Sequence, residues 1–359
     1  MSELLRGRSV LVVGGAGFVG SNLVRRCLAE DAARVLVVDN LLSSERENLP
    51  DDTRVELRVG SIADDGVLDA LPGDLDIVFH LATYHGNQSS LADPVADHAN
   101  NLTTTVKLFD RLKDSGVGRV VYSSTGCALA EKVAGPASAV TEDQLISLDF
   151  DTPYQISKVV GEMYAVYYHR SHGLPVVRAR FQNVYGPGEV LGAGRWRGTP
   201  ATVWRNVVPT FVYRALKGQP LQLHGGGAAS RDFIHVSDIV DGLLRCALTD
   251  GVEGDVFNLA SGVETTVLEL AQAIVALAGS GAGLEVEPFR DWDRSINRFG
   301  SPDKARAALG FEACVGLADG LAGTVAWTRE NLGFVERCIA KHRDLLPPEA
   351  RPEPSAAFR

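Results

Sequence analysis

The run VLVVGGAGFVGSNLV (residues 10–24) carries an apolar β-type segment straight into a glycine-spaced turn and then into a helical pattern. Gly14, Gly17 and Gly20 stand three apart. At that spacing the first glycine permits a tight turn, the second lets the backbone approach a pyrophosphate, and the third lets the helix pack closely on the strand. Glycine triplets mark many turns, so context decides the reading. Here a second apolar run, RVLVV (34–38), ends in Asp39, 19 residues beyond Gly20. An acid at that distance grips the adenosine ribose hydroxyls of a dinucleotide and repels a 2′-phosphate, which predicts NAD rather than NADP. The competing reading makes Asp39 a turn residue before NLLSS.

Further apolar runs follow at RVELRV (54–59), DIVFHLA (76–82), RVVY (119–122) and PVVRARF (175–181), with helical stretches such as 94–114 and 153–170 between them. Apolar strands alternating with helices imply a parallel sheet covered on both faces. The expected fold is α/β. A Rossmann-type doubly wound parallel sheet occupies residues 1–181, with segments near 231–260 packing back on it. A smaller mixed α/β substrate domain spans 182–340. The stretch YGPGEVLGAGRWRGTPATVW (185–204) has no periodicity and reads as a long loop, a feature that in compact domains is usually functional or disordered. Helical patterns return near 205–217, 237–249, 266–278 and 317–331, and the Pro-rich end, 345–359, is expected to be a disordered tail.

With 359 residues and 45% apolar content the chain can bury a large core. Its net charge of −10 argues against nucleic acid as the main partner, while local arginines can still hold an anionic ligand. Five scattered cysteines form no metal-binding spacing, and no apolar run reaches membrane-spanning length. No metal, no membrane association and a cytoplasmic location are therefore expected.

Two further segments carry chemistry. YSST (122–125) ends a strand in hydroxyls, and TPYQISK (152–158) puts Tyr154 and Lys158 four apart on one helical face. Taken with GGAGFVG (14–20), VVDN (37–40), HLA (80–82), Asn101 in NLTTT, RARFQNVYGPG (178–188), RDFIHVSDI (231–239) and SPDKARAALGF (301–311), the chain resembles the extended short-chain dehydrogenase/reductase family of nucleotide-sugar epimerases and dehydratases over about 300 residues.

The resemblance implies roles. Tyr154 is the acid/base at a sugar hydroxyl. Lys158 holds the nicotinamide ribose and favours the phenolate. Thr125 bonds the same hydroxyl, and Ser124 and Asn101 line the nicotinamide side. Gly14, Gly17, Phe18, Val19, Asp39, Asn40, Leu81 and Ala82 cradle NAD. Ser61 and Ile62 stand where relatives carry Gly-Asp against adenine. Asn183 and Arg231 hold the nucleotide diphosphate, unless Asn183 caps a turn and Arg231 makes a surface ion pair. Arg290, opening RDWD, is a third phosphate contact, with Arg298 as its competitor. Thr83 and His85 face the sugar, and His85 is read either as a second base or as pocket lining.

Departures from the family pattern point to the reaction. Relatives that dehydrate carry Asp-Glu after the active threonine, and those that decarboxylate usually carry Glu. This chain has Gly126-Cys127, followed by Ala128-Leu129-Ala130 where an aromatic is usual. Reversible oxidation at one carbon remains, so the expected activity is NAD-dependent 4-epimerisation of a nucleotide sugar through a transient 4-keto sugar. The alternatives are a dehydratase, a decarboxylase or a keto-sugar reductase of the same family. Arg195 or Arg197 is a candidate partner for a uronate carboxylate, against a purely structural loop. The helices at 94–114 and 153–170 match those that pair subunits in relatives, implying a homodimer through a four-helix bundle.

Overall fold

The computed structural model describes residues 3–126, 138–146, 148–290 and 297–352. Six parallel strands alternate with helices in the first half: β1 (Ser9–Val13), β2 (Arg34–Asp39), β3 (Val55–Val59), β4 (Ile77–His80), β5 (Arg119–Thr125) and β6 (Val176–Phe181). The helices here are α1 (Phe18–Ala29), α2 (Asp65–Asp69), α3 (Asn87–Ala92), α4 (Pro94–His98), α5 (Thr104–Leu112) and α6 (Pro153–His172). Beyond them lie β7 (Asn183–Tyr185), β8 (Leu221–His224), β9 (Ser230–His235), β10 (Val256–Leu259), β11 (Glu264–Thr266), β12 (Leu284–Glu287) and β13 (Asn297–Arg298). The later helices are α7 (Val207–Leu216), α8 (Val236–Leu248), α9 (Val267–Ala278), α10 (Asp303–Leu309), α11 (Leu317–Glu330) and α12 (Leu332–Ala340).

The main sheet runs β10-β6-β5-β4-β1-β2-β3 with all pairings parallel. Strand alternation divides its core into two layers. Val10, Val12, Val35 and Val37 pack with Leu23, Val24 and Cys27 of α1 and Ile239, Val240 and Leu243 of α8. Leu11, Val13, Leu36 and Val38 face the other side, against Leu108, Phe109 and Leu112 of α5 and Ala165 and Tyr168 of α6. Both faces are therefore covered, which is why these strands read as unbroken apolar runs. The strand order turns back between β1 and β4, so the crevice at their carboxyl ends is the topological switch point.

A third core gathers α7, α9, α11, β8 and β9 around Phe211, Val212, Leu270, Ile274 and Leu321. A fourth joins the aperiodic loop to the chain's end, through Val190, Leu191, Val203, Val335, Ile339 and Leu346. This overturns part of the expected disordered tail. Residues 345–352 dock: Leu346 is buried, and Trp204 Nε1 donates to Ala350 O at 2.9 Å. The apolar leucine and the indole partner outweigh the local proline content. Residues 353–359 of that expectation lie outside the described residues.

Candidate active site

β1 ends at Gly14, whose φ of +83° is in the left-handed region; a Cβ there would lie 2.6 Å from Ala82 N after β4. A Cβ on Gly20 would overlap Gly14 O and stand 2.7 Å from Gly15 Cα. Both positions require glycine for close approach. A Cβ on Gly17 would meet only Gly14 O, at 3.2 Å, and Gly17 lines the cavity in front of α1.

That cavity, about 950 Å³, runs from the glycine turn across the ends of β4 and β5 to the second domain. It is lined by Gly14, Gly17, Phe18, Val19, Asp39, Asn40, Ser61, Ile62, Leu81 and Ala82 at one end. Thr83, His85, Ser124, Thr125, Tyr154 and Lys158 stand at its middle, and Asn183, Arg231, Arg290 and Arg298 at the other end.

Asp39 is buried at the end of β2 and heavily engaged. Its Oδ2 accepts from Ala16 N (3.0 Å) and its Oδ1 from Leu41 N (2.9 Å) and Ser44 Oγ (2.9 Å). Burial pushes its pKa up, opposed by these bonds.

The hydroxyls of YSST belong to β5 itself, paired in register with β6: Ser123 with Ala179, Ser124 with Arg180, Thr125 with Phe181. Ser123 also lines the cavity, and its Oγ donates to His80 O (3.0 Å). Ser124 Oγ is buried, lines the cavity, and makes no hydrogen bond among the described residues.

The start of α6 is fixed by a capping box. Gln155 N donates to Thr152 Oγ1 (3.4 Å), Thr152 N donates to Gln155 Oε1 (3.3 Å), and Pro153 occupies the first turn. Tyr154 therefore sits in the first turn and Lys158 one turn on, both lining the cavity. Lys158 Nζ donates to Ser123 O (3.0 Å), and burial lowers its pKa to about 8, with Asp97 acting in the opposite sense.

Asn101 departs from expectation. It is buried but does not line the cavity, because its amide is saturated. Oδ1 accepts from Thr83 Oγ1 (3.1 Å) and Tyr84 N (2.6 Å); Nδ2 donates to Asp97 Oδ2 (2.9 Å) and Ser157 Oγ (3.2 Å). Two acceptor and two donor sites exhaust an amide, so in this structure Asn101 ties the loop after β4 to α4 and α6.

The loop arginines are engaged within the loop and its neighbours. Arg197 is buried, its Nη1 donating to Ser43 Oγ (2.7 Å) and Leu42 O (3.4 Å), and Arg195 Nη2 donates to Asn40 O (3.3 Å). Neither lines the cavity; Arg205 does, with Nη1 on Ser43 O at 3.1 Å and Nη2 on Val190 O at 2.6 Å. Asn206, Glu189 and Gln182 are lining residues that the sequence reading did not single out; Glu189 lies within the aperiodic loop and Asn206 just after it, where no pattern places them.

At the far end, Arg231 on β9 and Arg298 on β13 are register partners. Both line the cavity. Arg290 lines it as well. Beside Thr125, a Cβ on Gly126 would overlap the Gln182 amide and stand 2.8 Å from its Cδ. The expectations for Cys127 and Ala128-Leu129-Ala130 lie outside the described residues, as does most of RDWD. Among the described residues no group of His, Cys, Asp and Glu is arranged to hold a metal, and no helix is long and apolar enough to cross a membrane.

Residues 10–260 match the NAD dependent epimerase/dehydratase family. A UDP-glucose 4-epimerase of Mycolicibacterium smegmatis is 33% identical over 323 residues, 89% of this chain and 98% of that protein. A dTDP-glucose 4,6-dehydratase of Actinoplanes sp. is 32% identical over 334 residues, 90% of this chain and 98% of that protein. Among solved structures, the Bordetella bronchiseptica enzyme WbmF in complex with NAD+ and UDP is 52% identical, with a TM-score of 0.86, covering 96% of this chain and 99% of that one.

Proposed function

We propose, starting from the fact that the chain belongs to the NAD dependent epimerase/dehydratase family, that it is an NAD-dependent nucleotide-sugar 4-epimerase. The residues fit the cofactor. A glycine turn without side chains opens α1, a buried carboxylate ends β2, and an unpartnered Ser124 hydroxyl faces the same cavity. The WbmF complex with NAD+ and UDP supports both halves of the ligand set.

NAD, when bound, accepts two electrons with a hydrogen from the sugar C4 and later returns them to the opposite face. This chain's residues do the rest. Tyr154 takes the proton of the 4-hydroxyl and gives it back, and Thr125 bonds the same oxygen. Lys158, cationic beside them, favours the phenolate. Arg231 and Arg298, with Asn183 and Arg290, hold the diphosphate while the sugar turns.

The observation that carries epimerisation over elimination is Gly126. The residue after Thr125 has no side chain, and the space one would need is filled by Gln182. A dehydratase or decarboxylase reading draws on Glu189, a buried cavity carboxyl whose pKa is pushed up to about 7 by burial. Incubation with UDP-, dTDP-, GDP- and CDP-sugars, followed by mass spectrometry and NMR, separates them. An epimerase leaves mass unchanged and inverts C4, whereas loss of water or carbon dioxide, or stoichiometric use of NADH, refutes it.

A homodimer is part of the proposal. Ile156, Met163, Tyr164 and Tyr167 are exposed along one face of α6, and Val95 of α4 is 77% exposed. An apolar stripe at this spacing suits helix–helix pairing. A monomeric mass by light scattering refutes it.

A further inference from the structure

Three cavity-lining residues form a chain that the proposed reaction does not use. Asn206 begins α7 at the N-cap position, where an asparagine side chain ordinarily accepts a backbone N–H of the first turn. Here it makes no cap bond. Its Nδ2 donates instead to Glu189 Oε1, and its Oδ1 stands 3.1 Å from His85 Nε2. The His85 ring meets the Tyr154 ring edge-on, with centroids 6.3 Å apart. A residue that gives up its local hydrogen bond to bridge the loop after β4 and the loop after β7 is placed by the site, not by the helix.

The chain has a direction. Glu189 Oε1 accepts whether or not the acid is protonated, since a proton would reside on Oε2. The Asn206 amide must then offer Nδ2 to Glu189 and Oδ1 to His85. His85 must carry its hydrogen on Nε2, so its Nδ1 is an acceptor. We propose that His85 is a sugar-recognition residue, locked as its Nε2–H tautomer by Asn206 and Glu189, which presents Nδ1 as an acceptor to a hydroxyl or amide N–H of the sugar. Asn206 and Glu189 are positioning residues. His85 stays neutral near pH 7 because burial and the cations of Arg205, Arg197 and Lys158 lower its pKa to about 4. The ring thus selects a donor on the sugar beside the carbon that reacts. The inference rests on the reading of this cavity as a nucleotide-sugar site.

The test is nitrogen-15 NMR of the full chain labelled at histidine, saturated with NADH so that bound sugars are not oxidised, with His85→Gln assigning the signal. The expected result is a pyrrole-type Nε2 and a pyridine-type Nδ1. Nδ1 should shift on adding at least one of UDP-glucose, UDP-galactose, UDP-N-acetylglucosamine or UDP-glucuronate, and not on adding UDP. Glu189→Gln should keep the tautomer and Asn206→Leu should release it, with kcat/KM about tenfold lower in Asn206→Leu, as for loss of one neutral hydrogen bond. An Nδ1–H tautomer in the wild type, or an Nδ1 signal unmoved by all four sugars, overturns the inference. A shifted Nδ1 without any C4-inverted product removes the epimerase reading and leaves this contact. C4 inversion with an unmoved Nδ1 does the reverse.

Discussion

The helix that carries Tyr154 and Lys158 is fastened to the sheet by a buried charge pair one turn beyond the lysine. Glu162 Oε1 and Oε2 accept from Arg180 Nε and Nη2, both at 2.8 Å, with side-chain exposures of 3% and 4%. Arg178 Nη1 lies 3.7 Å from the same carboxylate, and Arg180 Nη1 also donates to Glu142 O at 3.3 Å. Glu162→Met keeps the volume but strands the Arg180 cation among buried groups, with a second guanidinium close by. Removing one partner of a buried pair costs about 3–5 kcal/mol. Because Arg178 then adds repulsion, the upper half of that range is expected. At about 2–4 °C per kcal/mol, Tm should fall on the order of 10 °C. Glu162→Met/Arg180→Met removes the stranded charge together with its partner, and exchange of a buried pair for apolar side chains is often neutral or stabilising. The double variant should lie within about 2 kcal/mol of wild type. Urea denaturation with saturating NAD measures both. Turnover should follow the same order, since a shift of about 1 Å in α6 costs on the order of a hundredfold. A single variant as stable as the double refutes the reasoning, because it means that Arg180 does not depend on Glu162 for compensation.

Other consequences are quicker to state. Tyr154→Phe should lower kcat by about 10²–10⁴ while leaving NAD affinity, read by fluorescence titration, unchanged. Gly20→Ala should weaken NAD binding and destabilise the fold, because its methyl group would overlap the backbone at Gly14 and Gly15; calorimetry with and without NAD reads both. Glu189 has a folded pKa of about 7 against an ordinary 4.5, so the native state keeps its proton longer than the unfolded chain and loses stability as pH rises through that interval. The stability of wild type relative to Glu189→Gln should therefore fall by about 3 kcal/mol between pH 4.5 and 7 and level off above, as measured by urea denaturation across pH.

What the sequence revealed follows from where the physics is local. The central strands β1, β2 and β4 are almost wholly buried, so their apolar runs marked them. The capping box at Thr152 and Gln155 and the glycine turn at 14–20 are local devices that fix Tyr154, Lys158 and α1 whatever the rest of the chain does. β5 was legible only to Tyr122, because Ser123, Ser124 and Thr125 carry little strand signal; their pairing with Ala179, Arg180 and Phe181 keeps them extended. α12 and the docked segment 345–352 are held by the aperiodic loop, through Val190, Leu191 and Val203, so neither end shows a pattern alone. The hydrogen bonds of Asn101 were hidden for a related reason. Its motif position is right beside the site, but whether its amide is free depends on four partners drawn from three other segments.

Gly126 shows how the two kinds of information meet. The sequence states that no side chain follows Thr125, which by itself removes one acid from the site without saying what fills its place. The structure supplies Gln182, one residue past the end of β6, whose amide occupies the volume a side chain at 126 would need. The same amide closes on Gly300, where a Cβ would also overlap it and stand 3.1 Å from its Cδ. Gln182 is thus a wedge between β5 and the approach to Ser301, and the two glycines that receive it are 174 positions apart in a chain of 359. A side chain at 126 would have to displace that amide. The position after Thr125 is therefore framed by two glycines and one glutamine amide rather than by an acid.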